Sequence, residues 1–131
     1  MKQVKFRVWN GHEMENKVMA GFLGAFYVQG IDENDSASMS PFNTKYHDNT
    51  PVMQFIGLAD KNNIEIFEDD IINIEAIGNI TKVYFDQNTA LFRMDSFVEF
   101  EDGTPLTYGF DEIQKDGIEI IGNIHANPEL L

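Results

Sequence analysis

Met53-Gln54-Phe55-Ile56-Gly57-Leu58-Ala59-Asp60-Lys61-Asn62-Asn63-Ile64-Glu65-Ile66-Phe67-Glu68-Asp69-Asp70-Ile71 is the stretch that decides the fold class. With Val52 ahead of it, the run to Leu58 reads as a strand. The short apolar run Ile64-Glu65-Ile66-Phe67 reads as its successor, because Ile and Phe suit a pleated, half-buried surface. Between them Ala59-Asp60-Lys61-Asn62-Asn63 reads as a tight turn, since asparagine tolerates φ > 0. Glu68-Asp69-Asp70 then forms an acidic corner.

The same rhythm continues downstream. Residues 71–77 alternate as a strand and turn at Gly78-Asn79, and residues 80–85 answer as the next strand. Asp86-Gln87-Asn88 turns again, and strands are predicted over 90–94, 97–100, 107–110 and 118–124. Short strands at such spacing, with turn signals between them, point to a small barrel or sandwich.

Upstream, Val4-Lys5-Phe6-Arg7-Val8-Trp9 alternates, which puts Val4, Phe6 and Val8 on one face of a half-buried strand. Asn10-Gly11 supplies a hairpin turn, residues 14–19 return as the partner, and residues 22–28 form a further strand. Residues 29–51 are polar and acidic and are punctuated by Pro41 and Pro51. They read as a loop-rich connection with one short helix near 35–39, and as a variable contact surface. The expected chain is therefore mostly β with little helix. An N-terminal β-rich annex (1–51) and a barrel-like domain (52–131) make one compact unit.

The end, Ile121-Gly122-Asn123-Ile124-His125-Ala126-Asn127-Pro128-Glu129-Leu130-Leu131, is too patterned for a disordered tail. Asn127 is expected to cap a short turn with Pro128 at its first position, and Leu130 or Leu131 to pack on the body.

With 131 residues, 43% hydrophobic, including 11 Phe, the chain is large enough for a core without staples. It has no cysteine, which excludes disulfides, thiolate metal sites and cysteine catalysis. No apolar run follows the N-terminus and none is long enough to span a bilayer, so neither a secretory signal nor membrane insertion is expected. Twenty-two acids against nine bases leave a net charge of -13. Such a surface repels phosphate backbones, keeps a small protein soluble, and suits a basic partner.

Three separated blocks carry a family resemblance: Lys5-Phe6-Arg7-Val8-Trp9, the opening stretch over 53–71, and Ile120-Ile121-Gly122-Asn123-Ile124-His125-Ala126-Asn127-Pro128-Glu129-Leu130-Leu131. Together they resemble the YopX family, small proteins of phages and prophages of low-GC bacteria. The middle block is also similar to the first corner of small SH3-like barrels. The resemblance implies a mostly β fold, a phage-encoded protein and the cytoplasm of a bacterial host. It implies no activity and no catalytic residues. Asn62-Asn63 stands where the family has Asn-Gly, and Glu68-Asp69-Asp70 where it has Glu-Gly-Asp. Asn63 can adopt a left-handed turn, whereas Asp69 is the larger departure because Asp takes φ > 0 less readily than Gly.

Few residues suggest chemistry. His12, His47 and His125 are far apart and form no ligand pair. Asp60-Lys61-Asn62-Asn63 opens like a calcium loop but has Glu65 at the sixth position and Ile71 at the twelfth. No phosphate-binding glycine loop and no nucleophile elbow occurs. The acidic cluster reads better as a solvated turn, with Asp70 satisfying backbone donors, than as a catalytic pair. Core packing is the expectation for Phe92, Phe97 and Phe100. Trp9 is either buried under the annex or exposed at an interface.

The reading from sequence is a non-enzymatic phage accessory protein that binds an unidentified host or phage protein of basic character. Its candidate interaction residues are Trp9, Asp32, Asp35, Glu65, Glu68, Asp69 and Asp70. No cofactor, metal, nucleic acid or membrane is expected. The alternatives are an acidic nucleic-acid mimic or anti-host inhibitor, a self-assembling homo-oligomer, and a small enzyme with an unrecognised site.

Overall fold

A computed structural model describes residues 4–20, 26–30, 38–41, 51–110 and 117–131, with side chains for 4–16, 51–110 and 117–131. The chain forms two compact units, Met1–Gln54 and Phe55–Leu131. The described residues are mostly strand and build antiparallel sheets.

In the first unit, β1 (Phe6–Trp9) and β2 (Met14–Ala20) form a hairpin that closes at the pair Trp9–Met14. The Asn10-Gly11 turn forms within a loop over residues 10–13, with Gly11 at φ 99°. The Asn10 side chain staples that loop. Its Oδ1 accepts from the His12 and Glu13 amides at 2.8 and 2.9 Å, and its Nδ2 donates to Glu15 Oε1 at 2.9 Å. β3 (Phe26–Gly30), β4 (Ser38–Pro41) and the start of β5 (Val52–Ala59) complete the order β4-β3-β2-β1-β5.

The short helix expected near 35–39 is corrected where it can be seen. Ser38 and Met39 lie in β4, opposite Gly30 and Gln29, and residues 35–37 fall outside the described residues. Pairing with β3 satisfies the backbone groups that a helical turn would otherwise hold, and Pro41 is tolerated because β4 is an edge strand. Val4 is 65% exposed and precedes β1, so the buried face of that strand begins later than the alternation implied.

In the second unit, the far half of β5 pairs with β6 (Glu65–Phe67). The Phe55 and Phe67 rings sit opposite each other at 5.6 Å. A five-stranded antiparallel sheet follows, built from β7 (Asp70–Ile74), β8 (Asn79–Asp86), β9 (Leu91–Glu99), β10 (Pro105–Gly109) and β11 (Ile118–Asn123). Its order is β10-β9-β8-β7-β11.

Ile56 and Ile66 from the β5–β6 ladder pack with Ile72, Ile74, Val83, Met94 and Ile118 of the sheet, flanked by Phe92, Tyr108, Phe110 and Ile120. Each such aliphatic side chain contributes about 1.5–3 kcal/mol on burial. The alternation expected over 71–77 does not hold at its start. Ile71 and Ile72 are both 0% exposed, so β7 is covered on both faces there.

The strands expected over 90–94 and 97–100 are one strand, β9. Asp95 stays paired with β10 instead of turning, and the chain absorbs the irregularity as a bulge. Thr107 pairs with Asp95 and Pro105 with Glu99, which leaves extra residues on β9.

Candidate interaction surface

Asp60 is the hub of the β5–β6 turn. Its carboxylate is 0% exposed. Oδ1 accepts from the amides of Asn62 and Ile64, both at 2.9 Å, and Oδ2 accepts from the Ile120 amide of β11 at 3.0 Å. Burial alone would raise its pKa. The amides of Ile120, Ile64 and Asn62, helped by the charge of Lys61, outweigh that and hold the carboxyl below its usual range. Asn63 takes φ 64° to close the turn, as its side chain permits. Lys61 ion-pairs with Glu75 and lies 3.6 Å from Glu119. The supposed start of a calcium loop is thus a brace between the β5–β6 turn and β11.

The acidic corner is also largely structural. Asp70 is 2% exposed, and its Oδ2 accepts from the Phe67 amide at 2.8 Å, as the turn reading expected. Asp69 adopts φ 68°, so the glycine-like backbone path survives the substitution. Its amide donates to Val83 O at 2.8 Å and its carbonyl accepts from the Ile124 amide at 2.9 Å. Its Oδ2 meets His125 Nε2 at 2.9 Å. Glu65 and Glu68 are half-buried beside them. The corner therefore holds the C-terminal segment.

That segment is docked through polar groups. Asn123 Oδ1 accepts from the amides of His125 and Ala126 at 3.0 and 2.9 Å. The Asn127 amide donates to Asn123 O at 2.8 Å, and Asn127 Oδ1 accepts from the Asn123 amide at 3.3 Å. A 3-10 turn over Pro128–Leu130 follows, with Pro128 in its first turn as expected. Two expectations are corrected. Asn127 makes no side-chain cap of that turn, because its side chain is committed to Asn123. Neither leucine is buried: Leu130 is covered only in part, at 38% exposed, and Leu131 is 59% exposed.

On the sheet face away from the core, Tyr84 donates to Asp95 Oδ1 at 2.8 Å, and Arg93 Nε donates to Thr107 Oγ1 at 3.0 Å. Burial and the Asp95 bond push the Tyr84 hydroxyl up to about 12. The pairing Tyr84–Arg93 aligns these groups, which strand alternation foreshadowed without naming partners.

The most exposed apolar feature lies beyond this network. Phe97, Val98 and Phe100 are 66%, 48% and 59% exposed, which corrects the core packing expected for Phe97 and Phe100. Phe92 does pack against the core. The physical reason is that β8 leaves β9 while staying with β7, to which its residues from Asn79 to Lys82 are paired. Its ladder with β9 ends at the pair Val83–Met94, so β9 beyond the bulge pairs only with β10. A two-stranded ribbon has no sheet neighbour to cover either face, and alternation no longer selects an inside.

The ribbon ends in a defined turn. Gly103 N donates to Phe100 O at 2.9 Å and Phe100 N to Thr104 O at 2.8 Å, around Gly103 at φ 86°. This is the three-residue loop with a left-handed glycine. Asp102 Oδ1 accepts from the Thr104 amide at 2.9 Å and from its hydroxyl.

Of the remaining candidates, Trp9 is half-buried and its amide donates to Pro51 O at 3.1 Å. Asp32, Asp35 and His47 lie outside the described residues, and His12 is exposed. Among the described residues, no group of His, Cys, Asp and Glu converges to hold a metal ion. No helix among them is long and apolar enough to cross a membrane.

The arrangement has counterparts among solved structures. The crystal structure of EF1440 from Enterococcus faecalis is similar over 100% of this chain and 99% of that one, with a TM-score of 0.66 and 26% identity. The crystal structure of YopX from Bacillus subtilis is similar over the same shares, 100% and 99%, with a TM-score of 0.61 and 21% identity. No curated protein matches the chain. The family model described as YopX protein matches residues 5–131, and the chain belongs to the YopX family.

Proposed function

We propose that this chain is a non-enzymatic accessory protein of phage or prophage origin that acts in the host cytoplasm by binding another protein. The observation that supports the reading is the exposure of Phe97, Val98 and Phe100 on the β9–β10 ribbon. Large apolar side chains left in solvent along one short ribbon are candidates for contact with a partner, and aromatic side chains carry much of the energy at such contacts. The corner carboxylates of Asp69 and Asp70 are engaged by His125 and by the Phe67 amide, so they serve the fold first. That moves the centre of the surface from the acidic corner to the ribbon.

The test is recovery of a partner from lysate of an infected bacterium by the full chain and by a Phe97→Ser/Phe100→Ser variant of unchanged far-UV circular dichroism. A protein retained by the first and lost by the second is the expected result. Equal recovery by both, or none by either, overturns the reading.

A further inference from the structure

We infer that the β9–β10 ribbon places Phe97 and Phe100 in an apolar cleft of a partner protein whose rim is basic, and that it does not join two copies of this chain. The inference rests on the protein-binding reading above and names the partner's chemistry. Residues 94–109 contain Asp95, Glu99, Glu101 and Asp102 and no Lys, Arg or His. Asp95 is turned to Tyr84, while Glu99, Glu101 and Asp102 stand exposed around the apolar side chains. The hydroxyl and amide of Thr104 hold the Asp102 carboxyl below its usual range, which keeps the tip anionic.

Every apolar side chain of the tip thus lies within a residue or two of a carboxylate. A surface that takes the phenylalanines must also meet those charges. A symmetric contact between two copies sets Glu99, Glu101 and Asp102 of one against the same residues of the other, on molecules that each carry a net charge of -13. An anionic lipid surface is disfavoured for the same reason. A cleft rimmed by Lys and Arg meets both halves of the surface. Its charges raise the association rate, and its apolar floor slows release.

The probes are three synthetic helical peptides, an amphipathic Leu/Lys peptide, its Leu/Glu counterpart and a Gln/Lys peptide, titrated into the intact chain by fluorescence anisotropy. The Leu/Lys peptide is expected to bind at least about tenfold tighter than either other peptide, and Phe97→Ser/Phe100→Ser to weaken it by about tenfold or more. Neutralising the tip as Glu99→Gln/Glu101→Gln/Asp102→Asn is expected to slow association several-fold at about 50 mM salt, with the difference gone near about 500 mM.

Leu/Lys binding that ignores the phenylalanines overturns the inference, as does a preference for the Leu/Glu peptide. So does sedimentation with phosphatidylcholine or phosphatidylserine vesicles, or a dimer on a sizing column that Phe97→Ser/Phe100→Ser dissolves. Phenylalanine-dependent capture from lysate, with no binding of the Leu/Lys peptide, rejects the basic cleft alone. Loss of both rejects the binding reading itself.

Discussion

Replacing Asp60 should be the most damaging single polar substitution in the second unit, because its carboxylate closes the β5–β6 turn and reaches across to β11. Asp60→Ala strands the amides of Asn62, Ile64 and Ile120. A hydrogen bond to a charged group contributes about 1.5–3 kcal/mol. Asn62 and Ile64 are exposed, so water can replace two of the lost bonds in part, whereas Ile120 is half-buried. The expected loss is therefore about 3–5 kcal/mol, well below the sum of three full bonds. Asp60→Asn keeps an oxygen for the turn amides but sets an NH2 against the Ile120 amide, for an expected loss of about 2–3 kcal/mol.

The assay is urea denaturation followed by far-UV circular dichroism, at neutral pH and down an acid series. Asp60's carboxyl is held below its ordinary value of 3.8, so the stability it adds is fully present above that pH and drains away as pH falls through the lower, folded value. Wild type should lose stability below pH 3.8 by a component that Asp60→Asn lacks. An Asp60→Ala midpoint within about 0.5 kcal/mol of wild type would refute the bracing role, as would parallel acid profiles for wild type and Asp60→Asn.

Other perturbations probe the docked end. A Cβ at Gly122 would lie 2.6 Å from Asn127 Oδ1, 2.9 Å from Cγ and 3.0 Å from Cβ. Gly122→Ala should accordingly cost about 1–3 kcal/mol, and adding Asn127→Gly should restore part of it; absence of rescue would show that the contact is not the cause. Leu130→Ser/Leu131→Ser should shift stability by less than about 0.5 kcal/mol, since both leucines are exposed, and a larger drop in the urea midpoint would mean they pack after all. Asp69→Gly relieves a left-handed residue at φ 68° but forfeits the His125 contact, and should stay within about 1 kcal/mol of wild type. Asp69→Val, which cannot relax there, should cost about 2 kcal/mol or more, and equal midpoints for the two variants would refute the strain argument.

Much of the architecture was readable because it depends on neighbours in the chain. The turn at Asn62-Asn63, the acidic corner and the strand rhythm from Val52 onward follow from backbone preferences and side-chain period over a few residues. Asn10-Gly11 was readable for the same reason, although the stapling of its loop by the Asn10 side chain was not. Asp70 was assignable to backbone donors because its partner Phe67 is three residues away. Alternation failed where cover changes along a strand. Ile71 and Ile72 are buried together, and the β9 residues past Ser96 lose their inside.

Taken by itself, the sequence determined the β class, the turns at Gly11, Asn63 and Gly78, the anionic surface and the patterned C-terminus, all of which rest on local sterics and composition, whereas the left-handed Gly57, Ala90 and Gly103 were not singled out. Tertiary structure decided which groups meet across the unit. Asp60 and Ile120 are 60 residues apart, and Asp69 and His125 are 56 apart, so nothing in local spacing predicts either contact. It also decided that Phe97 and Phe100 face solvent while Phe92 packs inward. Whether an apolar side chain is covered depends on which strands flank it, and β8 ends its pairing with β9 before the ribbon begins.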